Sequence, residues 1–316
     1  MKRWVIGMRD AFFNSLYNLA KKDKNIILVT SDTGAICHDA FKKKLSSQYI
    51  NIGIAEQNMV GVAAGLAMSK KIVFIYAIIP FATMRCYEQI RVALCGMNLP
   101  VTVVGIGAGF DYSTLGPTHH GYEDVGLMNL LPRMSIYNVS DSMMAGEITK
   151  TCYKQSGPQY IRLDREGLPL IYRRAKQLNI AKGFTVLKEG RDGYIIGTGR
   201  MAFTALKVAE EMSSASLKIG VIDLFRVKPL NKEMIWQVIK DSRFIITLEE
   251  HFVCGGIASI LGQFLLEKNA QIPFKTIGLA NEFCRKYGTR EYLRRLHHLD
   301  QDSILKSLQS WLRGLD

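Results

Sequence analysis

The sequence predicts an α/β protein built as two doubly wound units. Three observations carry this. Residues 26–30, 72–76 and 99–106 are short β-branched runs that stay apolar almost end to end, as strands buried on both faces do. Between them lie segments with apolar residues at helical spacing, the order of a parallel sheet covered by helices. Near residue 170 the texture turns polar and basic, and a second alternation of strands and helices begins beyond it.

The elements follow in order. Residues 8–20 carry an apolar helical stripe and open the first unit. After strand 26–30, a helix at 57–68 is rich in glycine and alanine, which lets another backbone approach closely. Strand 72–76 leads to a helix at 84–95, and strand 99–106 to a short helix at 124–131 that Pro132 ends. A further strand is expected near Pro158, with Arg162 and Arg165 following it. The polar passage at 164–187 reads as a linker, so the division is a first unit at 1–170, a linker at 171–188 and a second unit at 189–316. In the second unit strands at 194–197, 219–223, 243–248 and 272–277 alternate with helices at 201–213, 232–240 and 256–268. An amphipathic tail at 302–312 is expected to pack back on it.

Composition narrows the classes. With 316 residues, 48% of them hydrophobic and 22% charged, the chain reads as globular and is long enough for two domains. No run approaches the roughly 18 apolar residues of a membrane span. The first twenty residues, broken by Arg9, Asp10 and Asn14, lack the pattern of a secretory leader. The expected compartment is the cytoplasm, with no membrane partner. Cys37, Cys86, Cys95, Cys152, Cys254 and Cys284 show no metal-site spacing and read as reduced, mostly internal thiols. The formal charge of +13 is dispersed in short runs such as KKDK and KKK. Without a nucleic-acid-binding motif, it points to anionic small molecules or an acidic partner chain rather than to nucleic acid.

One stretch poses a question. In NIGIAEQNMVGVAAG, residues 51–65, the single acid Glu56 sits between apolar and small residues. By spacing alone it is a solvent-facing glutamate ahead of a helix.

The motifs around it carry a family resemblance. NIGIAEQNMVGVAAGLA at 51–67, FATMRCYEQIR at 81–91, GPTHHGYEDVGLMNLLP at 116–132 and PQYIRL at 158–163 resemble the pyrimidine-binding domain of transketolases and 1-deoxyxylulose-5-phosphate synthases. GTGRMAFTAL at 197–206, VIDLFRVKPL at 221–230 and EEHFVCGG at 249–256 are similar to the carboxyl-terminal domain that follows it. The resemblance covers essentially the whole chain. Single-chain members carry a further amino-terminal domain that grips thiamine diphosphate through a divalent metal. Nothing here resembles that domain, so the resemblance implies the second subunit of a split enzyme. Mg²⁺ would be held mainly by a partner chain that carries the diphosphate-binding domain, in an α2β2 assembly.

The resemblance also assigns residues. Glu56 matches the glutamate that hydrogen-bonds N1′ of the cofactor's aminopyrimidine, and burial favours a shared proton there. Phe81 matches the aromatic packed on that ring, and His119 the histidine that serves the reacting carbonyl. Arg85 is the expected contact for a substrate phosphate, with Arg91 structural. Arg162 is the expected second phosphate contact, ahead of Arg165. Leu115 stands where transketolases carry an aspartate for a sugar hydroxyl, which suits an unusual donor unless Asp111 reaches in. Gly61 and Gly65 are expected to pack closely at a subunit interface. Glu249, Glu250 and His251 read as an interface turn, with an approach of His251 to the site entrance as the sharper alternative.

The implied reaction is transfer of a two-carbon ketol unit between phosphorylated sugars. A β chain of a 2-oxoacid dehydrogenase and a non-catalytic scaffold are the other readings.

Overall fold

In the computed structural model, which describes residues 6–165, 167–213 and 217–315, the two alternations become two sheets. The first unit runs α1 (Met8–Ala20), β1 (Ile26–Thr30), α2 (Asp39–Lys44), β2 (Tyr49–Asn51), α3 (Glu56–Met68) and β3 (Ile72–Ile78). It continues through α4 (Ile79–Ala82), α5 (Tyr87–Gln89), β4 (Val101–Ile106), α6 (Asp124–Leu130), β5 (Ser135–Asn138), α7 (Ser142–Cys152) and β6 (Gln159–Leu163). The six strands are parallel, in the order β5-β6-β4-β3-β1-β2. β1, β4 and β6 are buried at every position, and β1 and β4 accordingly read as near-continuous apolar runs rather than alternating ones.

Helices cover both faces. Phe12, Phe13 and Leu16 of α1 pack with Met144, Ala145 and Ile148 of α7 on one side. Met59, Val60 and Ala63 of α3 pack with Ile90, Leu94 and Val125 on the other. The helix expected at 84–95 is α5 followed by a π-helical turn over Ile90–Gly96.

The second unit contains β7 (Phe184–Lys188), β8 (Gly193–Gly197), α8 (Arg200–Ser213), β9 (Ile219–Leu224), β10 (Arg226–Lys228) and α9 (Lys232–Ile239). It closes with β11 (Phe244–Phe252), α10 (Ile257–Glu267), β12 (Phe274–Leu279), α11 (Arg290–Leu296) and α12 (Gln301–Arg313). Its sheet is ordered β12-β11-β8-β9-β7, with β7 antiparallel at the edge. Residues 184–188, inside the stretch read as linker, therefore belong to this sheet. The expected strand at 272–277 begins after Pro273, whose carbonyl accepts from Ile245 N–H at 2.9 Å. Asp300 caps α12 by accepting from Ser303 N–H at 3.1 Å.

A shared strand and a lysine help fasten the units. β10 leaves its own sheet and pairs antiparallel with β5, extending the first sheet to seven strands. Lys228 at its end donates to the carbonyls of Asn129 and Leu131 at 2.7 and 2.6 Å, capping α6. Cys86, Cys95, Cys152 and Cys284 are buried free thiols and Cys254 is exposed, while the side chain of Cys37 lies outside the description. No described helix is long and apolar enough to cross a membrane.

Candidate active site

Parallel strands open their carboxyl ends toward one edge, where ligands of such sheets collect. Four loops meet there. Glu56 follows β2, Phe81 and Arg85 follow β3, the 107–123 loop follows β4, and Arg165 follows β6.

Glu56 is the first residue of α3, where the partial positive charge of the helix end favours a carboxylate. It is 2% exposed. Its Oε2 accepts from Arg85 Nη1 at 2.9 Å. The Arg85 guanidinium lies over the Phe81 ring, Cζ 4.0 Å from the centroid. His119 meets the same ring nearly edge-on, at 5.1 Å and 74°. Glu56, Arg85, Phe81 and His119 thus form one contiguous cluster, although 63 residues separate its ends in sequence.

His119 is held by its loop. Its Nδ1 shares a 2.9 Å hydrogen bond with Thr118 Oγ1, and the Gly116 carbonyl accepts from its N–H at 3.0 Å. Partial burial, and then the positive charge of Arg85, depress its pKa below the usual histidine value, so the imidazole is neutral at pH 7. A neutral imidazole can both donate and accept a proton.

The second unit clamps the loop that presents it. Glu250 accepts from Phe110 N–H at 2.8 Å. Arg290 donates to Glu250 and to the Ala108 carbonyl at 3.0 Å each, and pairs with Asp164. Burial alone would raise the Glu250 pKa, but Arg290, Arg294 and Arg200 outweigh it and hold the carboxyl down to about 2. Gly109 and Gly116 sit at positive φ, with Glu250 and Tyr287 against them where a side chain would project, so both positions require glycine.

The structure places Arg162, the expected second phosphate contact, inside the protein. Arg162 lies in the middle of β6 and is 3% exposed. Its Nε donates to Asp124 at 2.9 Å, and its Nη2 to the carbonyls of Gly121 and Glu250 at 2.6 and 3.1 Å. Its fork is fully engaged inside the protein. Arg165 stands instead at the exposed end of the strand, its Cζ 4.9 Å over the Tyr112 ring, which lies 6.1 Å from the ring of His119. The sequence holds the signal: Arg162 is flanked by Ile161 and Leu163 within the strand, whereas Arg165 follows its end.

Other candidates settle as follows. Asp111 does not reach the site, since it is buried, accepts from Arg165 N–H at 2.5 Å and lies 3.5 Å from Arg290. Leu115 is 47% exposed on the same loop as His119. His120 is fully buried against Phe110, and burial depresses its pKa to about 4. His251 does not approach the entrance. It is buried in β11, hydrogen-bonded to the Phe252 carbonyl at 2.7 Å and accepting from Gly126 N–H at 3.4 Å. Arg91 pairs with Glu88 on the surface at 2.9 Å.

Comparison with known proteins covers most of the chain. The profile described as "Transketolase, pyrimidine binding domain" matches residues 5–170, and "Transketolase, C-terminal domain" matches residues 183–304. An apulose-4-phosphate transketolase subunit of Phocaeicola vulgatus is 30% identical over 311 residues, 98% of each chain. The 6-deoxy-6-sulfo-D-fructose transketolase subunit of a Clostridium species is 30% identical over 95% of this chain and 92% of its own. A solved split-gene transketolase, described as an inactive β4 tetramer, matches with a TM-score of 0.87 at 30% identity, covering 96% of this chain and 98% of that one.

The two α/β domains and their order define a transketolase-type fold. The chain belongs to the transketolase family, with the pyrimidine-binding and carboxyl-terminal domains of its split subunits.

Proposed function

We propose that this chain is the cofactor-activating subunit of a thiamine-diphosphate-dependent transketolase that moves a two-carbon ketol unit between phosphorylated sugars. The observation that carries the proposal is the cluster of Glu56, Phe81 and His119 at the carboxyl ends of the strands. A buried carboxylate beside an aromatic face fits an aminopyrimidine, which needs a flat apolar surface and an acceptor for its ring nitrogen. When bound, thiamine diphosphate supplies the carbon nucleophile and the electron sink of the reaction.

The residues of this chain have distinct tasks. Glu56 holds the proton shared with N1′ of the pyrimidine. Phe81 keeps that ring in plane and excludes water from it. His119, neutral at pH 7, donates to the substrate oxygen on which charge develops and takes the proton back. Arg165, exposed at the strand end, and Arg85, once released from Glu56, offer guanidinium forks to an anionic tail. The two relatives support that class, since their substrates' names carry a phosphate and a sulfo group.

A partner chain would supply the grip on the diphosphate and Mg²⁺, in an α2β2 complex. Two observations support assembly. The outward face of α3 carries Gly61 and Gly65, and among the described residues nothing beyond the helix's own backbone lies within 4 Å of a side chain placed there. Ile54 beside it is 77% exposed and Met68 at its end 62% exposed. The solved split-gene relative is itself described as a tetramer of β chains.

The test is reconstitution with a chain that carries the diphosphate-binding domain, using thiamine diphosphate and Mg²⁺. Phosphorylated ketoses with an aldehyde acceptor should give ketol transfer that neither chain performs alone. Turnover of 2-oxoacids with a lipoyl acceptor instead, or no association between the chains, would overturn the proposal.

A further inference from the structure

Two features that an aminopyrimidine needs from this chain, the Glu56 carboxylate and the face of Phe81, are engaged by one side chain. Arg85 donates to Glu56 Oε2 at 2.9 Å and stacks on Phe81 at 4.0 Å. A guanidinium is planar, carries N–H donors in its plane and stacks on aromatic rings, so it satisfies the same two groups that a flat heterocycle would. Both cannot hold that place together.

We infer that Arg85 is a two-position residue that couples cofactor binding to recognition of the substrate's anionic tail. In the first position it lies on Phe81 and Glu56, in competition with the pyrimidine. In the second it is released from both and turns to the phosphate of the substrate. The inference rests on the reading of Glu56 and Phe81 given above.

The local structure permits the swing. Arg85 stands between α4 and α5 rather than inside a helix, and its side chain is 43% exposed. Its backbone is anchored separately, with its N–H donating to the Pro80 carbonyl at 3.1 Å. Moving the guanidinium therefore breaks one ion pair and one stacking contact and disturbs no helix. Thermodynamic linkage then makes the coupling reciprocal: whatever draws Arg85 toward phosphate tightens the cofactor, and the cofactor tightens phosphate.

The experiment measures the thiamine diphosphate Kd of the complete two-chain complex at saturating Mg²⁺, with and without inorganic phosphate. It compares wild type, Arg85→Ala, Arg85→Lys and Glu56→Gln, each checked for assembly and melting. Arg85→Ala should bind cofactor about threefold to tenfold more tightly than wild type, the range of a partly exposed ion pair plus a stacking contact. Inorganic phosphate should favour cofactor binding in wild type relative to Arg85→Ala. Arg85→Lys, which keeps the charge and loses the plane, should fall between them.

Weaker cofactor binding in Arg85→Ala, or an equal phosphate effect in both proteins, overturns the inference alone. A Glu56→Gln complex with unchanged cofactor Kd and unchanged hydrogen–deuterium exchange at C2 of the cofactor overturns the reading of the site, and this inference with it.

Discussion

Arg162 and Asp124 form an ion pair of 2.9 Å in which neither side chain is more than 3% exposed. The same Asp124 oxygen accepts from the Tyr160 hydroxyl at 2.6 Å. Removing the arginine strands a buried carboxylate, which typically costs about 3–5 kcal/mol. Arg162→Met should therefore lower the denaturation midpoint strongly, measured by chemical unfolding of the full chain. A variant as stable as wild type, with a raised KM for phosphorylated substrate alone, would return Arg162 to the substrate.

Arg165 should behave in the opposite way. Its guanidinium faces solvent above Tyr112, so Arg165→Ala should leave the melting temperature within a degree or two and raise the KM for phosphorylated substrates by roughly tenfold or more, the scale of a charge-assisted contact. Steady-state kinetics of the reconstituted enzyme with phosphorylated and unphosphorylated ketoses checks this. An equal loss on both substrates would assign Arg165 to the loop rather than to the phosphate.

The pKa of His119 is depressed first by burial and second by Arg85. Its neutral form therefore persists to lower pH than that of a free histidine, and the acid limb governed by this group should lie below pH 6.5. In Arg85→Ala the second cause is gone, so the midpoint should rise while staying depressed by burial. NMR titration of the imidazole protons in the two proteins reads it. A midpoint that falls on removal of Arg85 would contradict the arrangement.

Asp223 on β9 accepts from Ser140 and Tyr172 hydroxyls, each at 2.7 Å. Burial, with a further push from Asp141, raises its pKa from 3.8 to about 7 despite both hydrogen bonds. A raised acid binds its proton more tightly folded than unfolded. Its stabilising contribution is complete below about pH 3.8 and is lost as pH rises through about 7. Asp223→Asn should therefore gain stability relative to wild type between pH 5 and pH 8. Melting temperatures of both proteins across that range test it, and a constant difference would refute the raised pKa.

The legible part of the fold is its buried strands. β1, β3 and β4 announce themselves because a strand covered on both faces tolerates little polarity, and α8 and α12 because one side of each meets solvent. β5 and β10, of four and three residues, are too short to show a period. α7 escapes the sequence reading although Asp141 caps it, accepting from Met144 N–H at 2.8 Å, because Gly146 and three threonine or serine positions dilute its apolar stripe. Within the site, motifs reveal Glu56, Phe81 and His119, but their mutual contact needs the fold.

The sequence by itself determined two α/β units, their order and the residue types gathered at one sheet edge, since hydropathy period and short motifs are local properties of the chain. Tertiary structure decided which charges are satisfied inside and which face solvent. Arg162 and Arg165 are three residues apart and chemically identical. One is surrounded by Asp124, Gly121 and Glu250, contributed by two other segments, and the other lies exposed over Tyr112, its Nη2 3.5 Å from the Asp111 carbonyl. The free energy of a charged side chain depends on its solvation and on partners brought from far along the chain, and no local pattern encodes either.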